Sequence, residues 1–267
     1  LILGGQNSFT GAVTVSTGTL QLGANGGATN TPLGTNAGGV TVSAGAVLDL
    51  STFSLGGAST YETLTLSGTG IGNAGALISS AAGANNFGAM TVSVNSTVKN
   101  SGAGLITFGG IVTIGASVNL WVGGTGPTTI SGAFGASATT ASLTKADAGI
   151  LTISAVAVTT GLVRVNGGTL AYGIADALAT PGVTIAGGTW DLKGYSEGGT
   201  TLIGAVTLID GSIINTGGAA TITSSSGYTV ENGTISAVLA GAVISMIKNT
   251  GGSVTLSAAN TFAGVTT

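Results

Sequence analysis

Ionisable side chains, the groups that transfer protons and bind metals, are scarce in this chain of 267 residues. It has no histidine and no cysteine, five lysines and arginines, and eight aspartates and glutamates. A Ser-His-Asp triad, a Cys-His pair, thiolate metal sites and disulfides are therefore excluded. The chemistry that remains open is that of clustered carboxylates with a basic partner.

Five acidic and basic residues are dense enough along the chain to be considered together: Asp147, Asp176, Asp191, Arg164 and Lys193. Carboxylates with a lysine or arginine, sometimes with calcium, are the groups that cleave polysaccharides. However, no D-x-D motif and no glycine-rich nonapeptide offers oxygen ligands to calcium. We expect no cofactor, no metal and no enzyme, and a polysaccharide lyase or hydrolase stays as a remote alternative.

Two further patterns resemble catalytic motifs without their context. Residues 142–145 read SLTK, the S-x-x-K of serine acyl-transfer enzymes, but the companion motifs of those enzymes are missing. Residues 123–126 read GGTG without the strand, helix and lysine of a phosphate-binding loop. Both patterns are interpreted as parts of a structural repeat.

That repeat is the template Φ-x-Φ-x-x-G-x-Φ, in which Φ is an apolar residue. Its six strict copies begin at Val13, Val40, Val163, Val183, Val206 and Tyr228. Neighbouring copies lie 20 to 27 residues apart on either side of one long gap. Weaker copies, such as LTLSGTGI from Leu64 and LTISAVAV from Leu151, occupy part of that gap. This spacing is the length of one structural turn of a repeat protein.

Within a copy, apolar and hydroxylic residues alternate, which is typical of a half-buried strand. The glycine then allows a corner, because it adopts backbone angles that other residues resist. The template predicts an all-β fold, a single-stranded parallel β-helix of about 11 to 13 coils, in which like residues stack at about 4.8 Å. The chain is treated as one continuous solenoid over residues 1–267, less regular and open to corner insertions at 67–150. An antiparallel sandwich is the competing all-β fold, but it does not predict near-identical segments.

The template also assigns roles to residues. Its corner glycines are Gly18, Gly45, Gly168, Gly188, Gly211 and Gly233. Its inward stack is predicted to contain Val13, Val40, Val163, Val183, Val206, Leu20, Val47, Leu170, Trp190 and Ile213. Asp49 and Asp191 occupy matching places and are expected on the outer surface. Trp121 and Tyr195 are the aromatics that could bind a glycan.

Composition narrows the possible partners. Charged residues make up 5% of the chain, against roughly 25% in ordinary soluble proteins, and the net charge is −3. No basic patch is available for nucleic acid. The longest apolar stretch, 235–247, is shorter than the roughly 20 residues of a spanning helix, so we expect no membrane insertion of this segment. Fifty glycines without a Gly-X-Y period exclude collagen.

Several phrases resemble the passenger-associated repeat of bacterial autotransporters. They are residues 1–23, 143–154, 161–173 and 246–267. Leu3, Asn7, Phe9 and Gly11 of the opening correspond to Leu256, Asn260, Phe262 and Gly264 near the end. On this pattern the chain begins and stops inside a repeat. The copy at 143–173 departs from the family, with Val156 and Val158 where asparagine and an aromatic residue are usual.

The resemblance implies a right-handed parallel β-helix that serves as stalk in an exported surface protein. We therefore expect a non-enzymatic extracellular or cell-surface segment, a stalk, fibre or coat. Its nearly uncharged surface favours self-association, end to end or side by side. The alternative is an adhesin-type module that binds a glycan or a surface protein.

Overall fold

The computed structural model describes residues 1–55, 62–136, 140–159, 161–200 and 203–267. These residues form an all-β solenoid of about 11 turns, and strands of successive turns are parallel, which confirms the fold class predicted from the template. Within these ranges, the one helical segment is the 3-10 turn Ile71–Asn73. None of the helical structure described is long and apolar enough to cross a bilayer.

The strands are short, apart from two that bend around corners. In chain order they are β1 (Ile2–Leu3), β2 (Val13–Val15), β3 (Gly18–Leu22), β4 (Asn30–Thr31), β5 (Gly34–Thr35), β6 (Val40–Val42), β7 (Ala46–Asp49), β8 (Leu64–Leu66), β9 (Leu77–Ser79), β10 (Asn85–Phe87), β11 (Met90–Val92), β12 (Ser96–Asn100), β13 (Ile106–Phe108), β14 (Val112–Ile114), β15 (Asn119–Gly124), β16 (Thr128–Ile130), β17 (Phe134–Ala136), β18 (Ser142–Lys145), β19 (Ile150–Ile153), β20 (Ala157–Val158), β21 (Val163–Val165), β22 (Thr169–Tyr172), β23 (Leu178–Asp191), β24 (Ile203–Ile214), β25 (Thr221–Thr223), β26 (Tyr228–Val230), β27 (Gly233–Ile235), β28 (Val238–Ala240), β29 (Met246–Ile247) and β30 (Val254–Leu256).

Three faces run along the solenoid, and each is a ladder of parallel strands. Face 1 contains β2, β6, β8, β11, β14, β17, β20 and the start of β23. Face 2 contains β1, β3, β7, β9, β12, β15, β18, β21, the middle of β23, the first half of β24, β26 and β29. Face 3 contains β10, β13, β16, β19, β22, the ends of β23 and β24, β27 and β30.

The core lies between the three faces and is built from columns of inward side chains. On face 2, Val163 pairs with Val183 and Val183 pairs with Val206. On face 3, Leu170, Trp190 and Ile213 follow one another in the same way, all fully buried. Burial of one such side chain stabilises the fold by about 1.5–3 kcal/mol. The buried side chains stacked along the solenoid axis are therefore the main source of its stability.

The template does not keep to one face. The copies from Val13 and Val40 cross from face 1 to face 2, whereas those from Val163, Val183 and Val206 cross from face 2 to face 3. The five valines therefore stand in two separate columns, because Val13 pairs with Val40 on face 1. Inward and outward residues alternate in the same way on all three faces, so the template is compatible with more than one corner.

One inward position is displaced from its predicted place. Leu48 pairs with Leu20, while Val47 pairs with Thr19 at an outward position that is nonetheless buried. The corner between β6 and β7 is one residue longer than the corner between β2 and β3. The extra residue, Gly45, shifts the register of the strand that follows it.

Five of the six template glycines have positive φ, from 60° at Gly168 to 129° at Gly233. The exception is the copy from Val183, in which Gly187 rather than Gly188 has the positive φ, 111°. A β-bulge between β23 and β24 at this point accounts for the change.

Candidate functional site

The five residues considered for catalysis do not share one face. Asp147 lies at the corner between faces 2 and 3, Arg164 points outward from face 2, and Asp176 and Asp191 lie where face 3 ends. Lys193 forms an ion pair with Asp191 at 3.8 Å. Within the described ranges, no group of three or more acidic residues is arranged to hold a metal ion. These carboxylates instead bind backbone groups at corners.

Asp191 illustrates this role. Its Oδ1 accepts hydrogen bonds from the backbone N–H of Lys193 at 3.0 Å and of Thr216 at 3.1 Å, and its Oδ2 accepts one from the Thr216 hydroxyl at 2.7 Å. Asp49 makes the same three bonds, to the N–H of Ser51 and to the N–H and hydroxyl of Ser80. Each carboxylate thus connects its own corner to the next turn.

The expected surface position of Asp49 and Asp191 is therefore corrected, because both are only 4% exposed. Residue i+2 of each, Ser51 or Lys193, has a φ of about 50°, the left-handed region. A buried carboxylate is stable there since three hydrogen bonds replace its hydration. The repeated aspartate therefore acts as a structural clamp.

The SLTK motif is divided between the two sides of its strand. Lys145 points into the core of face 2, between Val122 and Val165 in the column, and is 2% exposed. Its Nζ donates to the carbonyl oxygens of Asp147 at 2.8 Å and of Gly167 at 3.2 Å. Burial lowers its pKa to about 8, and the Asp147 carboxylate opposes that shift.

Ser142, by contrast, points outward, because it is three residues before Lys145 on a strand with two-residue alternation. A lysine on the inner side cannot deprotonate a serine on the outer side of the same strand. The nucleophile and base of an acyl-transfer enzyme are therefore not assembled here.

Two buried glutamates were not anticipated from the sequence. Glu197 is fully buried, and its Oε2 accepts the backbone N–H of Leu178 at 3.2 Å, where the ladder of face 1 is interrupted. Burial raises its pKa to about 7, against the opposing effects of the Tyr172 hydroxyl and the Leu178 N–H. Glu62, also fully buried, accepts the Thr31 hydroxyl at 2.9 Å, and burial raises its pKa as well.

An aromatic residue stands on the outer side of face 2. Trp121 lies between Thr97 of the preceding turn and Thr144 of the following turn, and Arg164 comes one turn later. Its indole is half-buried, unlike that of Trp190, which is enclosed in the core. The alternation of Leu120 and Val122 as inward residues could have placed Trp121 outward from the sequence.

Trp121 lines two adjoining cavities, which together form the outer groove. One, of about 210 Å³, extends to Thr69, Asn73, Lys99 and Asp147. The other, of about 370 Å³, extends to Asn119, Ser142, Thr144, Arg164 and Asn166. The outer groove therefore combines an aromatic surface with hydroxyl, amide and charged groups. That combination is suited to binding a polar ligand with apolar faces.

Tyr195, the second aromatic proposed for glycan binding, is 40% exposed but lies elsewhere. It belongs to the corner after face 3, where its N–H donates to the carbonyl oxygen of Leu192. The structure therefore does not bring Tyr195 into the outer groove.

Comparison with known proteins gave one positive finding. No match was found among curated proteins or among solved structures. The model of the passenger-associated-transport-repeat matches residues 1–22, 143–171 and 246–267. These segments cover nearly all of the residues that resembled the autotransporter repeat in the sequence. The chain is thus a β-solenoid in which three segments, at both ends and in the middle, match the passenger-associated-transport-repeat.

Proposed function

We propose that this chain is a non-enzymatic structural segment of an extracellular or cell-surface protein, a stalk, fibre or coat. The observation that supports it most is the succession of parallel turns, about 11 of them, on one apolar core. At about 4.8 Å per turn this is a rod of about 50 Å. The three passenger-type repeats within it favour an exported role.

The polar groups support the same proposal. Of the thirteen charged side chains, five are buried: Asp49, Glu62, Lys145, Asp191 and Glu197. Those five bind backbone, hydroxyl or amide groups of the fold itself. Charged side chains of the kinds that enzymes use in catalysis here form hydrogen bonds that stabilise corners and satisfy backbone groups left unpaired between strands.

We further propose that such segments associate side by side. Eight charged side chains remain at the surface of a 25.1 kDa chain, so electrostatic repulsion between copies is weak. On face 1, the apolar side chains of Ile111, Val156 and Val158 are 41% to 60% exposed around Gly135. They offer an apolar area for contact with a second copy.

Two measurements test these proposals. Antibody and protease applied to intact cells that make the parent protein should reach this segment, and exclusively intracellular protein would contradict the surface role. Sedimentation of the purified chain should give concentration-dependent association that the double substitution Val156→Thr and Val158→Thr weakens. Thr229→Val, on another face, serves as the matched control, and a monomer at all concentrations would contradict association.

A further inference from the structure

We propose that the outer groove binds an acidic oligosaccharide, with one sugar ring stacked on Trp121 and a carboxylate of the glycan paired with Arg164. This goes beyond the structural role and does not rest on it. A short glycan would lie along the solenoid axis, across successive strands of face 2.

Trp121 is not required by the fold at its position. The same outward column continues through Thr184, Thr207 and Thr229 in later turns, so a small β-branched residue satisfies the strand there. An indole adds a large apolar surface that stays partly exposed. The apolar C–H face of a pyranose ring can cover that surface while its hydroxyls reach the polar groups around it.

A loop forms one wall of the outer groove. Residues 67–76 connect β8 to β9, where the corresponding connection one turn later needs only residues 93–95. Within this loop Asn73 has a φ of 62°, and its Oδ1 accepts the Thr69 hydroxyl at 2.6 Å. Thr97 beneath the loop is only 7% exposed although it is an outward residue. The insertion therefore turns a flat face into a walled groove.

A charge pair crosses the same end of the outer groove. Lys99 Nζ lies 3.2 Å from Asp147 Oδ2, which also accepts the N–H of Gly124 at 2.9 Å. The N–H of Gly124 and the Lys99 ammonium hold the pKa of Asp147 below its usual value. A side chain at position 123 would place its Cβ 2.6 Å from that oxygen, so Gly123 leaves room for the pair. The pair offers sugar hydroxyls both donors and acceptors at no net charge.

The other end of the outer groove has an uncompensated positive charge. Arg164 is exposed and forms no ion pair with any residue in the described ranges. A guanidinium binds a carboxylate through two parallel hydrogen bonds. Trp121 and Arg164 are two strand spacings apart, about 10 Å, which separates a stacked ring from an acidic group farther along a glycan. Asn166 and Asn119 add amide groups between and beside them.

The charge inventory disfavours other polymers. Nucleic acid needs several cations to replace its counterions, and the outer groove offers one that is not already paired. A neutral glycan would leave Arg164 without a partner. The arrangement therefore favours a chain with few charges, at least one of them a carboxylate.

The test uses tryptophan fluorescence and calorimetry on the whole chain. The chain has two tryptophans, and Trp190 is fully buried, so emission quenched by acrylamide comes from Trp121. The acidic probes are oligogalacturonate, a hyaluronan oligosaccharide and sialyllactose, and the neutral probes are cellotetraose and lactose. We expect an acidic probe to protect Trp121 from quenching and to bind more tightly than its neutral counterpart.

Variants assign the binding to the outer groove. Trp121→Ala should weaken binding by about tenfold or more, and Arg164→Gln should remove the preference for the acidic probe, a loss of about fivefold to tenfold. Tyr195→Ala and Lys248→Gln, which change an aromatic residue and a cation elsewhere, should bind like the unmodified chain. Circular dichroism establishes that each variant is folded.

Three results would overturn the proposal: no binding of any of these probes at millimolar concentration, undiminished binding by Trp121→Ala, or an acid preference that survives Arg164→Gln. Should Trp121→Ala fail to fold, Trp121→Tyr replaces it, since a ring retained at this position should keep part of the affinity. We propose that position 121 combines ring stacking with nearby polar contacts. This would be contradicted if Trp121→Tyr folds but loses all binding while Trp121→Phe still binds.

Discussion

Glu197 should make the stability of the solenoid fall as the pH rises from about 5 to about 8. The carboxyl group is fully buried, and burial raises its pKa from 4.5 to about 7. Below 4.5 both the folded and the unfolded chain hold the proton, so the favourable contribution is complete. Between 4.5 and 7 the unfolded chain releases the proton while the folded chain keeps it, and each further rise in pH favours unfolding.

The size of the effect follows from the shift. One pKa unit corresponds to about 1.4 kcal/mol, so the free energy of unfolding should decrease by about 3 kcal/mol across this range. Glu197→Gln removes the titration and keeps an acceptor for the Leu178 N–H. Glu62, whose pKa is also raised by burial, should leave a residual slope of the same sign in that variant.

Urea unfolding, followed by circular dichroism at several pH values, measures this change in the free energy of unfolding. The difference between the unmodified chain and Glu197→Gln should change with pH, whereas Glu231→Gln, at a partly exposed position, should run parallel to the unmodified chain. A chain whose stability is the same or greater at about pH 8 than at about pH 5, with Glu197→Gln behaving identically, would refute the assignment of a proton to this buried carboxyl.

Three other substitutions probe the corners and the core, each by urea unfolding. Asp191→Ala removes the acceptor of three hydrogen bonds and should cost about 2–4 kcal/mol, whereas Asp210→Ala, at an exposed site, should cost less than about 0.5 kcal/mol; equal effects would contradict the clamp. Gly211→Ala, at φ 109°, places a methyl group against a carbonyl oxygen of the preceding turn and should destabilise the fold by about 2 kcal/mol or more. Its control, Gly45→Ala, at φ 78° with open space around it, should cost about 1 kcal/mol. A larger cost for Gly45→Ala than for Gly211→Ala would contradict the stacking of corners. Lys145, whose pKa is lowered to about 8, is deprotonated in the folded chain before the unfolded one, so stability should rise by about 3 kcal/mol between pH 8 and 10.5, and a rise that persists in Lys145→Met would contradict its burial.

The architecture could be predicted because it depends on a short-range pattern. Alternating valine and threonine with a glycine after them specifies a strand and a corner wherever they occur. The face on which a copy lies could not be predicted, because inward and outward positions alternate identically on all three faces. The register of Val47 depends on one additional corner residue, which a template with fixed spacing does not represent.

The polar interior was harder to anticipate. Lys145 and Glu197 are residues that are seldom buried, and only the neighbouring carbonyl oxygens or the interrupted ladder explain why they are. The partners from adjacent turns, Gly167 for Lys145 and Leu178 for Glu197, are 22 and 19 residues away in sequence. The outer groove depends similarly on a loop at 67–76 and a side chain at 147, which meet only after three turns are stacked. The sequence marks residues 67–150 as irregular without indicating this meeting.

The same repeat template occurs at different corners of the solenoid, and this affects how the gene can lengthen by duplication. A duplicated stretch need not restore a full circuit of the chain to remain compatible with its neighbours, because a copy that arrives one side further around still presents valine and leucine to the axis. Unequal recombination between non-equivalent copies would then yield folded products more often than in a repeat protein whose units have a single allowed phase. If copies in different positions around the solenoid are all compatible with the core, the repeat should have variable spacing. The spacings of 20 to 27 residues between neighbouring copies agree with this.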